Sequence, residues 1–151
     1  MPYNHTQHAP LHFIVSAPAI ICLGSAWFAR GDPTAVAICV AVAFTLFLAA
    51  AMCHHLTVAD EGDWLAVRFG PLPLLSKRIR YDRMTAVAPD RSSILDGWGI
   101  HYMPGKGWIY NLWGFDCVRV SLGNKAVRVG TNDLDNLLAF LCGKITEPSD
   151  D

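Results

Sequence analysis

Three groups of side chains in this 151-residue chain are of the types that do chemistry or recognition. Cys53-His54-His55 sets a thiol beside two imidazoles, donor types that transition metals take. Successive residues of a regular helix or strand point in different directions, so this run alone does not offer one ion three ligands, and no metal is expected there. Histidines where a helix leaves a bilayer act more often as snorkelling polar caps. Lys77-Arg78, Arg80 and Arg83 form the dense basic run. Against an anionic leaflet each such charge contributes about 1 kcal/mol; the same spacing equally describes the solvated face of a strand. Trp98, Tyr102, Trp108, Tyr110 and Trp113 concentrate aromatic rings around one predicted hairpin. Cross-strand pairing is their default use, and a partner-binding surface is the functional alternative.

Catalytic spacing is missing. His101 is the one histidine inside the predicted soluble sheet, and the chain has no GxSxG elbow, P-loop, HExxH helix or usefully paired carboxylates. The expectation is a binding module and not an enzyme, with a small membrane enzyme or metal site using Cys53, His54, His55 or His101 as the alternative. The five cysteines include no CxxC pair, which fits a reducing compartment better than an oxidising one, and no cofactor is expected. With 12 Lys+Arg against 13 Asp+Glu there is no global electrostatic reason to bind nucleic acid.

The elements that must position these groups fall into two modules. Hydrophobic residues make up 52% of the chain, too many for an ordinary soluble domain, and the excess lies before Cys53. After a polar N-terminus at 1–10, residues 11–29 and 34–52 form two runs without Asp, Glu, Lys or Arg, each near the roughly 20 residues needed to cross a hydrocarbon core. Gly31-Asp32-Pro33 between them suits a tight turn with a helix-starting proline, so 11–52 is read as a two-helix transmembrane hairpin. Pro18 is a candidate kink in the first helix. Ala37, Ala41, Thr45 and Ala49 recur every fourth residue, a small-residue ridge along which another helix can pack, as in an intramembrane subunit of a larger complex. The hairpin turn holds only Arg30, whereas Arg68 and the 77–83 run follow the second span. The positive-inside rule then places both termini in the cytoplasm.

From residue 56 onward the period becomes two. Strands are predicted at 56–58 and 64–69 around Asp60-Glu61-Gly62-Asp63, with Leu65, Val67 and Phe69 inward. Further strands follow at 76–81, at 84–88 before Pro89-Asp90, at 97–103 and 108–112 around Pro104-Gly105-Lys106-Gly107, at 117–122 and at 125–129. Leu134, Leu137, Leu138 and Leu141 give one apolar helical stripe, capped by Thr131 or Asn132 and stopped by Gly143. Residues 144–151 read as an acidic tail.

This order, together with Gly97-Trp98-Gly99-Ile100, Tyr110-Asn111, Gly114, Val118-Arg119-Val120 and Gly130-Thr131-Asn132-Asp133, resembles small bacterial membrane proteins with a pleckstrin-homology-like (PH-like) domain. The resemblance implies a membrane α-helical hairpin plus an α+β PH-like domain at 56–143. In that fold a bent antiparallel sheet or barrel of about seven strands is plugged by a C-terminal helix. It implies an inner-membrane location and is silent on the ligand. Phosphoinositide-binding relatives carry a basic cluster in their first hairpin loop, whereas Asp60-Glu61-Gly62-Asp63 is acidic and repels phosphate. A tethered domain that needs no lipid recognition leaves a protein partner as the expected ligand.

Overall fold

The computed structural model describes residues 2–72, 74–93 and 98–146. Gly97 of the glycine motif and residues 147–151 of the acidic tail lie outside the described residues. The chain runs β1 (Asn4–His8), α1 (Leu11–Phe28), α2 (Pro33–Met52), β2 (His55–Asp60), β3 (Trp64–Phe69) and β4 (Leu75–Arg80). A 3-10 turn (Tyr81–Arg83) follows, then β5 (Ala86–Arg91), β6 (Gly99–Met103), β7 (Gly107–Asn111), β8 (Asp116–Leu122), β9 (Lys125–Gly130) and α3 (Leu134–Thr146).

Both apolar runs are helices long and apolar enough to cross a membrane. Asp32 accepts from the Thr34 and Ala35 amides at 2.9 and 3.3 Å, and Pro33 opens α2, as its fixed φ favours. α1 continues through Pro18. The two helices meet along a seam of small residues seven apart, Ala19 and Ala26 against Ala43 and Ala50, which lets the backbones approach closely. The ridge of Ala37, Ala41, Thr45 and Ala49 is exposed and lies off this seam.

The polar N-terminus is not a loose lead. Residues 4–8 pair antiparallel with β2, from Asn4↔Ala59 to His8↔His55. The helical hairpin is therefore inserted between two paired strands of one sheet, whose order is β1-β2-β3-β4. β1 contains no alternation of apolar residues. Besides its backbone pairing with β2 it is held by side chains that reach the far half of the chain: Gln7 Nε2 donates to the Trp113 carbonyl at 2.8 Å between β7 and β8, and Tyr3 Oη, just before the strand, donates to Asp133 at 3.1 Å just before α3.

The second sheet has the order β5-β8-β9-β7-β6. β7 and β9 run parallel, through Trp108↔Val127 and Tyr110↔Val129, where a simple succession of hairpins would have made every pair antiparallel. Pro89 does not end its strand. It sits within β5 opposite Val118, and β5 is an edge strand, where the missing amide leaves no ladder bond unmade. Cys117, although it precedes the inward-facing Val118 on the same strand, is fully buried as well.

One core joins the sheets. Leu56, Val58, Leu65, Val67 and Phe69 come from the first, Val118, Val120, Val127 and Val129 from the second, and Leu137 and Leu141 from α3. Thr131 Oγ1 accepts from the Asp133 amide at 2.9 Å just before α3 begins, and the helix runs through Gly143 to Thr146 without stopping there. Tyr81 ends up in the 3-10 turn, its hydroxyl donating to Asp60 at 2.9 Å. Burial first, and that bond second, hold the phenol above its ordinary value.

Candidate functional site

Position along the strands decides what the aromatic residues do. β6 and β7 set Tyr102 opposite Trp108 and Ile100 opposite Tyr110. Tyr110 is turned into the core, and its hydroxyl is pushed up by burial. Trp98 stacks on Trp113 with ring centres 4.5 Å apart and passes its indole N–H to the Gly114 carbonyl at 3.4 Å. Tyr102 and Trp108 pair edge to face at 5.7 Å and remain 59% and 47% exposed, more than a pairing role alone requires. The five aromatic candidates thus separate into a core residue, a stacked pair and an exposed pair beyond the edge of the core on the face that Tyr110 shares.

The exposed pair forms one wall of a groove of about 540 Å³. Its other walls are the turns 104–107 and 123–124, the adjoining ends of β8 and β9, and Lys77 from β4. Lys77, Lys106, Arg119 and Lys125 line it, and no acid does among the described residues. Of these four only Lys77 belongs to the basic run that the sequence singles out. The others carried a weaker signal: Lys106 lies between two turn glycines, Lys125 follows the Gly123-Asn124 turn, and Arg119 alternates outward between Val118 and Val120.

The rest of the basic run is largely neutralised within the chain. Arg78 bonds Glu61 at 2.9 Å, and Arg68 pairs with the same carboxylate. Arg80 grips Asp82 with two nitrogens at 3.0 and 2.7 Å, and its guanidinium lies over Trp64. Lys77 and Arg83 are exposed. Two acids of the first hairpin turn are likewise engaged, Glu61 by Arg68 and Arg78, and Asp60 by Tyr81 and by Lys144 at 3.6 Å.

The Cys53-His54-His55 run does not act as a unit. Cys53 packs against the core, and burial raises its thiol pKa. His101 lies on β6 with Nε2 buried and without a hydrogen-bond partner among the described residues. His54 and His55 instead meet His8 from β1 and His12 from the first turn of α1. Sequence spacing does not reveal this convergence, because only the pairing of β1 with β2 brings the two ends of the helical hairpin together. Desolvation, then the neighbouring His54 and His8, hold His55 below its ordinary imidazole value.

No known protein family, curated protein or solved structure matches the chain.

Proposed function

We propose that the chain is an integral inner-membrane protein with both termini cytoplasmic, whose PH-like domain binds an acidic segment of a protein partner in the groove beneath Tyr102 and Trp108. The observation that carries the reading is the exposed Tyr102–Trp108 pair on the wall of a groove with four cationic and no acidic side chains among its described residues. Exposed aromatic and cationic groups together are what protein interfaces use as anchors.

Membrane anchoring is supported by the outer faces of α1 and α2, where Phe13, Ile21, Phe28, Ile38 and Phe44 are each more than half exposed. Burying such surface in lipid removes it from water. Gly70, pressed against Ala51 and Met52 at the end of α2, is followed within five residues by the exposed Leu72, Leu74 and Leu75. The PH-like reading is supported by two facing sheets and by α3 packed on β5, β8 and the 3-10 turn. The parallel β7–β9 pair is a departure from an antiparallel meander. The first turn offers phosphate no basic cluster, since the nearby Arg68 and Arg78 are taken by Glu61 and Lys144 by Asp60, which weighs against a phosphoinositide headgroup there.

A photo-crosslinking residue placed at Trp108 of the full-length protein in native membranes tests this. The expected product is a discrete protein adduct whose cross-linked peptide is acidic, and which is lost when Lys125→Glu is added. Adducts to lipid alone, or a yield unchanged by Lys125→Glu, would sink the reading.

A further inference from the structure

The geometry points to a site for a divalent transition-metal ion, of the imidazole-preferring class that includes zinc, where His8, His12, His54 and His55 converge at the root of the helical hairpin. The ring centres of His8, His54 and His55 form a triangle of 5.4, 5.9 and 5.4 Å, and His12 lies 4.9 Å from His54. An imidazole nitrogen binds zinc at about 2.0–2.1 Å, which puts each ring centre about 3 Å from the ion and neighbouring ring centres about 5 Å apart in a tetrahedral site. The observed spacings have that size. Two tetrahedral ligand nitrogens should be about 3.3 Å apart on the same bond length. His54 Nδ1 and His55 Nδ1 are 3.1 Å apart.

The tautomer of His12 agrees. Its Nδ1 lies 2.7 Å from the Ala9 carbonyl, and a carbonyl only accepts, so Nδ1 carries the proton. The neutral ring then has its lone pair on Nε2, the arrangement by which a backbone oxygen orients a metal-binding histidine. Imidazole ligands favour zinc, copper and nickel over calcium or magnesium.

Among the described residues no three donors already meet at one point in metal-ligand geometry. What is assembled is the ring positions. Histidine χ2 is a broad, soft torsion, so rotation about Cβ–Cγ can redirect a nitrogen while moving the ring centre little. His8 and His54 are exposed, which leaves them room to rotate. A bound ion would join β1, the start of α1 and the link from α2 to β2. The site stands independently of the partner reading.

The test uses the full-length protein, purified in detergent without a polyhistidine tag and titrated with Zn²⁺ against a chromophoric chelator. Stoichiometric uptake is expected, weakened more than about 10-fold by His54→Asn and by His8→Asn, since changes even outside the ligand shell reach that range. His5→Asn and His101→Asn should leave uptake unchanged. Zn²⁺ should also raise the thermal midpoint of the wild type and not of the two site variants, and Co²⁺ should give the intense visible bands of tetrahedral coordination. Circular dichroism checks folding, with His54→Gln replacing any variant that fails. No stoichiometric uptake, uptake that survives both site substitutions, or equal loss in His101→Asn overturns the assignment.

Discussion

In the first sheet every pairing joins strands that follow one another along the chain, while the second, in the order β5-β8-β9-β7-β6, sets distant strands side by side and includes a parallel pair. The first concentrates its irregularity in a single connection, the helical hairpin between β1 and β2. The second spreads it over the strand order. The first sheet is therefore built from local contacts plus one insertion, and the second depends on long-range pairing, the slower kind to form. Their inner faces nevertheless share one core with α3.

The contrast predicts a graded series of effects. Leu137 is fully buried in that core, so Leu137→Ala should cost about 2–5 kcal/mol and weaken both sheets together. Denaturant unfolding of the full chain in detergent, with hydrogen exchange read at β3 and β8, should show one transition. Loss of protection at two separate denaturant concentrations would mean that the sheets do not share a core. Next, Gly70 has φ +66° and a Cβ there would lie 2.7 Å from the Ala51 carbonyl oxygen. Gly70→Ala should cost about 1–3 kcal/mol, and limited proteolysis should show cleavage near residue 70 rising before cleavage in the second sheet. Tyr3→Phe removes the bond to Asp133 and should cost about 0.5–1.5 kcal/mol; β1 amides should exchange faster while those of β8 do not. Last, Arg80→Gln breaks an exposed pair with Asp82 and should leave the thermal midpoint unchanged within error. A clear drop would show that this edge of the first sheet contributes more than an exposed ion pair does.

The two regions also differ in how far the sequence discloses them. Leu65, Val67 and Phe69 alternate cleanly and are buried as that pattern demands, and Leu137 and Leu141 sit on the buried side of their helix. β1 was invisible because the segment NHTQH has no apolar alternation and owes its place to Gln7 and Tyr3 reaching across to Trp113 and Asp133. Pro89 and Gly143 misled for a common reason. Each is a local breaker whose cost depends on surroundings, an edge position for Pro89 and a nearly finished helix for Gly143. At the groove, alternation puts Trp108 and Tyr110 on one face of β7 but does not say which is covered, since that depends on how far along the strand the core reaches: Tyr110 is buried and Trp108, two residues earlier, is exposed. The histidine cluster needed still more: two pairs of residues far apart in the chain became neighbours only through the closure of an element that spacing rules do not register.

That closure has a mechanical consequence. A domain on one flexible tether swivels. Here Ala9-Pro10 on one side and Cys53-His54 on the other are the only residues between helix and strand, and the strands they lead into are bonded to each other. If α1 slid along α2, it would drag β1 past β2. A slip by one residue would turn every β1 side chain to the wrong face of the sheet and pull Gln7 out of its buried seat. The sheet therefore acts as a detent on the helices: small relative displacements are resisted, and the tilt of the pair is passed to the domain as rigid rotation, carrying the Tyr102–Trp108 groove with it.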